Sequence, residues 1–208
     1  MSKANKSNKA IKYRLYPNDE QKVMFAKTFG CCRFVYNQLL ALQKQRYKDG
    51  ESHLSKLKSN EFATRTLKKD YDFLKEIDKF AVSNAVFHLA DAYDRFFKKQ
   101  NHFPKFKSKR KSKKSYTTNF TNNNILIGKN VIKLPKVGMV KAVIHKLPKD
   151  DWKLKSVTVS QDSVGNYFAS VLFEYEQEDI PSVSKSSTNA IGLDYKSDGL
   201  YMDSNGNK

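Results

Sequence analysis

A short segment in the middle of the sequence carries side chains suited to binding a polyanion. Residues 98–114, KKQNHFPKFKSKRKSKK, hold nine lysines or arginines and no acidic residue. Such cations neutralise phosphates, and the interleaved aromatic rings can stack on unpaired bases. A solvated, flexible linker is the alternative interpretation of such a charge run. The candidate nucleic-acid-binding residues here are Lys98, Lys99, Phe103, Lys105, Phe106, Lys107, Lys109, Arg110, Lys111, Lys113 and Lys114.

The charge of the whole chain favours the same class of partner. The 208 residues have a net charge of +18, and residues 1–114 contain 28 Lys or Arg against 11 Asp or Glu. An excess of this size indicates nucleic acid or an anionic membrane as the partner. No run of 18 apolar residues is present, and the start, MSKANKSNKAIKY, lacks the apolar core of a signal peptide. We therefore expect no membrane partner and a location in the bacterial cytosol or nucleoid.

The cysteines and histidines do not have the spacing of metal ligands. The two cysteines, Cys31 and Cys32, are adjacent, which excludes both an unstrained mutual disulfide and the spaced pairs of a zinc site. The four histidines are scattered along the chain. These residues are therefore expected to fill the core or the surface.

The first fifty residues predict a strand followed by two helices. Residues 11–16 alternate apolar and polar side chains, Asn18 is a candidate N-cap, and Gly30 is expected to end the first helix. A second helix is predicted over residues 32–48. The pair has the outline of a helix-turn-helix, although a helical hairpin that only packs has the same pattern. The second helix could present Arg33, Asn37, Lys44 and Gln45 outward to DNA.

Further along the chain the periodicity changes from helical to alternating. Helices are predicted over residues 61–69 and 78–100. From residue 115 onward, six strand candidates separated by Asn, Gly, Pro and Asp indicate an antiparallel sheet or a small barrel. A polar linker follows, and then two short apolar strands beginning at Ile191 and Leu200.

Several motifs, in order, resemble those of one family. They are KAIKYRLYPNDEQ, FGCCRFVYNQLL, FPKFK, SYTTN and IGLDYKSDGLYMDSNG. This order resembles TnpB, the RNA-guided DNA endonuclease that small bacterial insertion sequences encode and that is related to the type V CRISPR effectors. The resemblance extends from about residue 9 to residue 208.

The resemblance implies an α+β fold in which a β-barrel-like wedge domain carries an inserted helical recognition lobe. Both parts are expected to bind a transposon-derived guide RNA and double-stranded DNA, with Tyr116, Thr117, Thr118 and Asn119 facing nucleic acid. The implied organisation is a first wedge strand (1–16), the helical lobe (17–101), a basic linker (102–114), the rest of the wedge (115–180), a linker (181–189) and the truncated start of a RuvC-like, RNase H-like domain (190–208).

The resemblance also places Asp194 as the first acidic metal ligand of a RuvC-type nuclease. Two-metal hydrolysis needs several converging carboxylates, and the resemblance implies Mg²⁺ for the full nuclease and Zn²⁺ for a zinc ribbon. The remaining ligands of the family have no counterpart among these 208 residues. We therefore expect a fragment of the family that does not cleave DNA by itself.

Three hypotheses of function remain open. The first is a guide-RNA-binding and DNA-binding portion without nuclease activity. The second keeps the nuclease, with the missing ligands supplied by another chain or by a continuing reading frame. The third is a regulator that reads DNA through the helical pair without RNA. A decayed transposase fragment without activity is a further alternative.

Overall fold

A computed structural model describes residues 5–177, 193–195 and 201–204 of the chain. Lys6–Glu176 form one compact unit that contains every helix and seven strands. Two further short strands, β8 (Leu193–Asp194) and β9 (Met202–Asp203), belong to a second unit. They pair antiparallel, with Asp194 opposite Met202. The predicted turn at residues 204–206 and the linker at 181–189 lie wholly or partly outside the described residues.

The structure confirms the predicted first strand and the N-cap at Asn18, and it corrects the predicted end of the first helix at Gly30. Strand β1 (Asn5–Tyr16) contains the predicted residues 11–16, and Asn18 caps helix α1 (Asp19–Lys48) through a capping box with Gln21. Helix α1 runs for 30 residues through Gly30, so the predicted break into two helices is wrong. Glycine costs a helix interior only about 1 kcal/mol relative to alanine, and the buried neighbours Phe29, Cys31 and Cys32 compensate through packing.

The remaining helices follow α1 in sequence. Helix α2 (Lys56–Glu61), a π-helical segment (Phe62–Leu67) and the single turn α3 (Lys68–Asp70) cover the helix predicted at residues 61–69. A short 3₁₀ helix (Asp72–Lys75) leads into α4 (Lys79–Phe97), whose N-cap is Asp78. The long helix predicted over residues 78–100 is thus confirmed, with its buried stripe on Val82, Val86, Leu89 and Tyr93.

All six strands predicted after residue 115 are present in one large sheet. They are β2 (Lys114–Asn119), β3 (Leu126–Ile127), β4 (Val131–Leu134), β5 (Gly138–Val143), β6 (Lys153–Gln161) and β7 (Tyr167–Gln177). Together with β1 they form a seven-stranded sheet in the order β2-β6-β7-β1-β5-β4-β3. The strand pairs whose register is described within this sheet are antiparallel, and the two edge strands are β2 and β3.

The core lies where helices α1 and α4 cover the sheet. The ring of Phe25 in α1 is fully buried, 6.3 Å from the ring centre of Tyr116 in β2 and 5.4 Å from that of Tyr167 in β7. Asp78, at the start of α4, accepts a hydrogen bond from the hydroxyl of Thr118 in β2 at 2.6 Å. These contacts hold the helices and the sheet together, so the chain is a mixed α/β protein built on a large antiparallel sheet.

Candidate nucleic-acid interface

The basic segment, residues 98–114, is fastened to helix α1 rather than left as a loose linker. The Asn37 side-chain amide donates to the Lys107 carbonyl at 2.9 Å, and its oxygen accepts from the Lys107 backbone N–H at 2.8 Å. The two hydrogen bonds therefore hold both the backbone N–H and the carbonyl of Lys107. Asn37 is therefore a positioning residue for the segment, and its direct contact with nucleic acid stays a prediction.

Aromatic contacts fasten the segment at further points. The Phe103 ring meets the rings of Tyr93 and Phe96 in α4 edge to face, at 5.6 and 5.2 Å between centres. Lys44 in α1 places its ammonium nitrogen 5.4 Å from the Phe103 ring centre and 4.8 Å from that of Phe106. Lys44, predicted from the helical pair, thus lies on the same surface as the basic segment.

Lys107 is held with its side chain against α1. Its ammonium nitrogen lies 4.0 Å from the ring centre of Tyr36, and burial lowers the pKa of Lys107 below its ordinary value. Burial also raises the pKa of the neighbouring Cys32 thiol to about 12. Cys32 therefore remains a neutral thiol at physiological pH, which agrees with its expected role as a core residue.

A small depression beside Lys107 is lined mainly by cations and serine hydroxyls, together with Phe29 and Cys32. Arg33, Lys107, Lys113 and Lys114 surround it together with two serines, and no carboxylate lines it. Such a set of side chains is suited to a phosphate oxygen, because the cations supply charge and the hydroxyls supply hydrogen-bond donors. Arg33, predicted from α1, and the end of the basic segment are brought together here.

The positive charge of the basic segment is not neutralised by neighbouring carboxylates. Elsewhere cations are paired, as in Lys27–Glu76 at 2.7 Å and Lys56–Asp91 at 3.4 Å. Within the described part of the chain, no cation of residues 98–114 forms an ion pair. The exposed cations of the segment are Lys98, Lys99, Lys105, Lys109, Arg110, Lys111, Lys113 and Lys114.

Strand β2 divides the four residues expected to face nucleic acid between its two sides. Tyr116 is 3% exposed and Thr118 is fully buried, so the expectation is corrected for these two side chains. Thr117 and Asn119 lie on the opposite side and are half-buried. The Thr117 hydroxyl bonds that of Thr158 at 2.8 Å, and Asn84 donates to the Asn119 side chain at 3.2 Å. The period of two in a strand already indicated that two of the four side chains would lie on each side of β2.

Replacing Tyr116 with phenylalanine tests its role in the core. Its buried hydroxyl has no hydrogen-bond partner, and burial raises the pKa of this phenol. We expect Tyr116→Phe to raise the free energy of unfolding by about 1 kcal/mol, because an unsatisfied hydroxyl is removed from the core. Urea unfolding measures this change. Nucleic-acid affinity should stay within about twofold, and a tenfold loss of affinity would show instead that the hydroxyl contacts the ligand.

The described residues do not assemble a metal site around Asp194. Asp194 is exposed at the end of β8, and among the described residues no group of three His, Cys, Asp or Glu side chains could hold a metal ion. One carboxylate is too few for two-metal hydrolysis. The role of Asp194 as a nuclease ligand therefore stays a prediction, and no catalytic step is derived from it.

Comparison with known proteins identifies relatives along most of the chain. Residues 7–52, which contain α1 and nearly all of β1, match a family model described as a helix-turn-helix domain of the OrfB type from IS605 insertion sequences. A candidate RNA-guided DNA endonuclease of Streptomyces pristinaespiralis is 30% identical over 202 residues, which are 96% of this chain and 49% of that protein. The chain belongs to the TnpB family. InsQ of Escherichia coli, also a candidate RNA-guided DNA endonuclease, is 29% identical over 192 residues, 89% of this chain and 44% of InsQ.

A third relative differs from these two in length. The virulence protein VsdF of Salmonella dublin is 32% identical over 111 residues, which cover 49% of this TnpB-family chain and 93% of VsdF. By contrast, the chain spans about half the length of the two endonuclease relatives. Similarity to this family of insertion-sequence proteins supports a nucleic-acid-binding role. No helix in the described residues is both long and apolar enough to cross a membrane.

Proposed function

We propose that the chain binds a transposon-derived guide RNA and the DNA beside the target, as the N-terminal part of a TnpB-type endonuclease. The observation that supports this proposal is the unpaired positive charge of residues 98–114. The Asn37–Lys107 hydrogen bonds hold this segment on α1. A fixed array of cations can meet successive phosphates without first being ordered, which favours binding of a structured RNA.

The proposal assigns different parts of binding to different elements. The seven-stranded sheet serves as the wedge, and the helices between β1 and β2 serve as the recognition lobe. Asp194 would become one of several metal ligands only when the rest of a nuclease domain is supplied, with Mg²⁺ as the metal of the full nuclease. By itself the chain is proposed to bind without cleaving, in the bacterial cytosol or nucleoid.

The proposal is tested first by sequencing the nucleic acid that copurifies with the chain. The chain is produced in cells that carry its own flanking element, and the bound RNA is extracted. A single enriched RNA from the end of the element is the expected result. Heterogeneous RNA, with equal affinity for any RNA of the same length, would contradict the guide-specific part of the proposal.

A charge-removal variant tests the basic segment directly. The change Lys109→Ala, Arg110→Ala and Lys111→Ala removes three exposed cations. Because each phosphate contact contributes about 0.7 to 0.9 to the slope of log affinity against log salt, we expect the slope to fall by about two to three. Fluorescence anisotropy with the element's RNA at several salt concentrations measures the slope.

A matched variant at three other exposed lysines provides the control. Lys129→Ala, Lys133→Ala and Lys149→Ala remove the same charge from exposed positions outside the basic segment. The slope should change by less than about one with this control. Equal losses for the two triple variants would reduce the binding to a general effect of net charge.

A DNA-binding regulator that works without RNA is the second candidate function. The description of the matching family as a helix-turn-helix domain favours it. It requires sequence-specific binding of duplex DNA by protein that has been freed of RNA. Arg33→Ala should then erase the specificity, whereas the guide-RNA proposal expects no specific duplex binding in the absence of RNA.

A further inference from the structure

A second site lies next to the basic segment, at the C-terminal ends of α1 and α4. It is an open cavity of about 650 Å³ with mainly aromatic walls. Volumes of roughly 300 to 1,000 Å³ are typical of small-molecule sites. The rings of Tyr47, His53, Tyr93, Phe97 and Phe103 line it, and we refer to it as the aromatic pocket.

The inner walls of the aromatic pocket are held by ring contacts and by the end of α4. His53 and Phe103 both meet the Tyr93 ring edge to face, with 4.6 and 5.6 Å between centres. Lys99 takes a left-handed conformation with φ 58°, and the Gln100 N–H donates to the Arg95 carbonyl at 2.8 Å. This turn redirects the chain so that Phe103 returns to Tyr93.

The mouth of the aromatic pocket exposes two large rings to water. Tyr47 is 86% exposed and Phe97 is 64% exposed. Exposed flat rings beside a basic surface are typical of platforms on which unpaired bases stack. Ring contacts among His53, Tyr93, Phe97 and Phe103 already hold the walls of the aromatic pocket before a ligand binds.

The charges at the rim indicate which ligand fits. Lys44 and Lys48 line the aromatic pocket, and its one carboxylate, Glu51, is paired with Arg46. A ligand that joins a flat ring to a negative group matches this arrangement better than an uncharged apolar segment does. The Gln43 amide is already committed to both polar groups of Leu54, at 3.2 and 3.1 Å, so it is not free to read the edge of a base.

We propose that the aromatic pocket holds one unpaired nucleotide of the bound nucleic acid, with its base stacked on Tyr47 or Phe97 and its phosphate beside Lys44 and Lys48. This inference rests on the proposed nucleic-acid-binding function and adds a specific site to it. Stacking on rings, with the Gln43 amide committed to Leu54, makes the site tolerant of base identity. Burial lowers the pKa of His53, which favours a neutral ring in the wall.

The test compares two single-stranded oligonucleotides that differ only in their bases. One 15-nucleotide strand carries ordinary bases, and the other has the same phosphates with abasic sugars. The full chain, freed of nucleic acid, is titrated with each. Tyr47→Ala and Phe97→Ala should weaken binding of the strand with bases by about 5- to 150-fold and leave the abasic strand within twofold. RNA and DNA versions of the strand identify which nucleic acid supplies the base.

Two further variants separate loss of stacking from loss of structure. Phe97→Leu keeps an apolar side chain and should lose the preference for bases as Phe97→Ala does. Leu57→Ala, at a residue that is 79% exposed in α2, should leave both affinities unchanged. Thermal unfolding midpoints are expected to stay close to that of the parent chain, because the altered rings are largely exposed.

The outcomes distinguish the aromatic pocket from the wider proposal. Suppose that the parent chain binds both strands and that the ring variants show the same ratio of affinities for the two strands as the parent. The proposal of a nucleotide in the aromatic pocket is then overturned, and nucleic-acid binding stands. If the parent chain binds neither strand, the proposed function itself fails. A dimer that is lost in Phe97→Ala, with unchanged discrimination between strands, would assign the aromatic pocket to a second copy of the chain.

Discussion

Replacing Asp78 with alanine is expected to lower the free energy of unfolding by about 3 kcal/mol. The carboxylate caps α4 by accepting from the Ala81 backbone N–H at 3.3 Å, and it accepts from the Thr118 hydroxyl at 2.6 Å. Loss of an N-cap costs about 1 kcal/mol, and a buried hydrogen bond to a charged group contributes about 1.5 to 3 kcal/mol. The melting temperature should fall by about 6 to 12 °C, measured by circular dichroism.

Two other variants identify the source of this effect. Asp78→Asn keeps an acceptor for both bonds and should cost about 1 kcal/mol or less. Asp91→Ala removes an exposed carboxylate from the same helix and should change stability by less than about 0.5 kcal/mol. In a double-mutant cycle with Thr118→Val, Asp78→Ala should show a coupling of at least about 1 kcal/mol. Additive costs would mean that the two side chains do not share a bond.

Replacing Asn37 with alanine is expected to release the basic segment and to weaken RNA binding by about 10- to 30-fold. The side chain makes two hydrogen bonds to the backbone of Lys107, each worth about 1 kcal/mol. Without them, the segment must be ordered when RNA binds, and the cost appears in the affinity. Anisotropy with the element's RNA measures the affinity change.

Hydrogen exchange in the free protein shows whether Asn37 positions the basic segment or contacts the RNA directly. The Lys107 N–H donates to the Asn37 oxygen, so a peptide covering residues 105–111 should exchange faster in Asn37→Ala. Gln38→Ala, at the next half-buried residue of α1, is the matched control and should leave the exchange unchanged. If Asn37→Ala weakens RNA binding without altering exchange, then the Asn37 side chain contacts the RNA itself.

The continuous α1 also bears on how the helix-turn-helix similarity is understood. The family model covers α1 from its first to its last residue, yet the described structure has no turn at Gly30. Two of the four residues expected to read DNA from a separate second helix make hydrogen bonds within the chain. Asn37 positions Lys107, and Gln45 donates to Asp49 at 2.9 Å. The similarity identifies the family, whereas the surface that we propose for nucleic acid combines α1 with residues 98–114.

Local structure was largely determined by the sequence itself. The N-cap at Asn18, the end of α1 at Lys48 and the six strands after residue 115 were all predicted correctly. These features depend on the conformational preferences of neighbouring residues, which are visible without knowledge of the fold. The basic segment and the family motifs could also be recognised from the sequence, because they depend only on composition and on the order of residues along the chain.

Tertiary structure decided what depends on residues distant in sequence. Gly30 stays helical because the packing of its neighbours outweighs a local preference of about 1 kcal/mol. Alternation in β2 put Tyr116 and Thr118 on one side, but only the position of α1 and α4 made that side the core. The Asn37–Lys107 contact joins residues 70 positions apart. Such contacts depend on the tertiary fold that brings distant segments together, and no local sequence pattern predicts them.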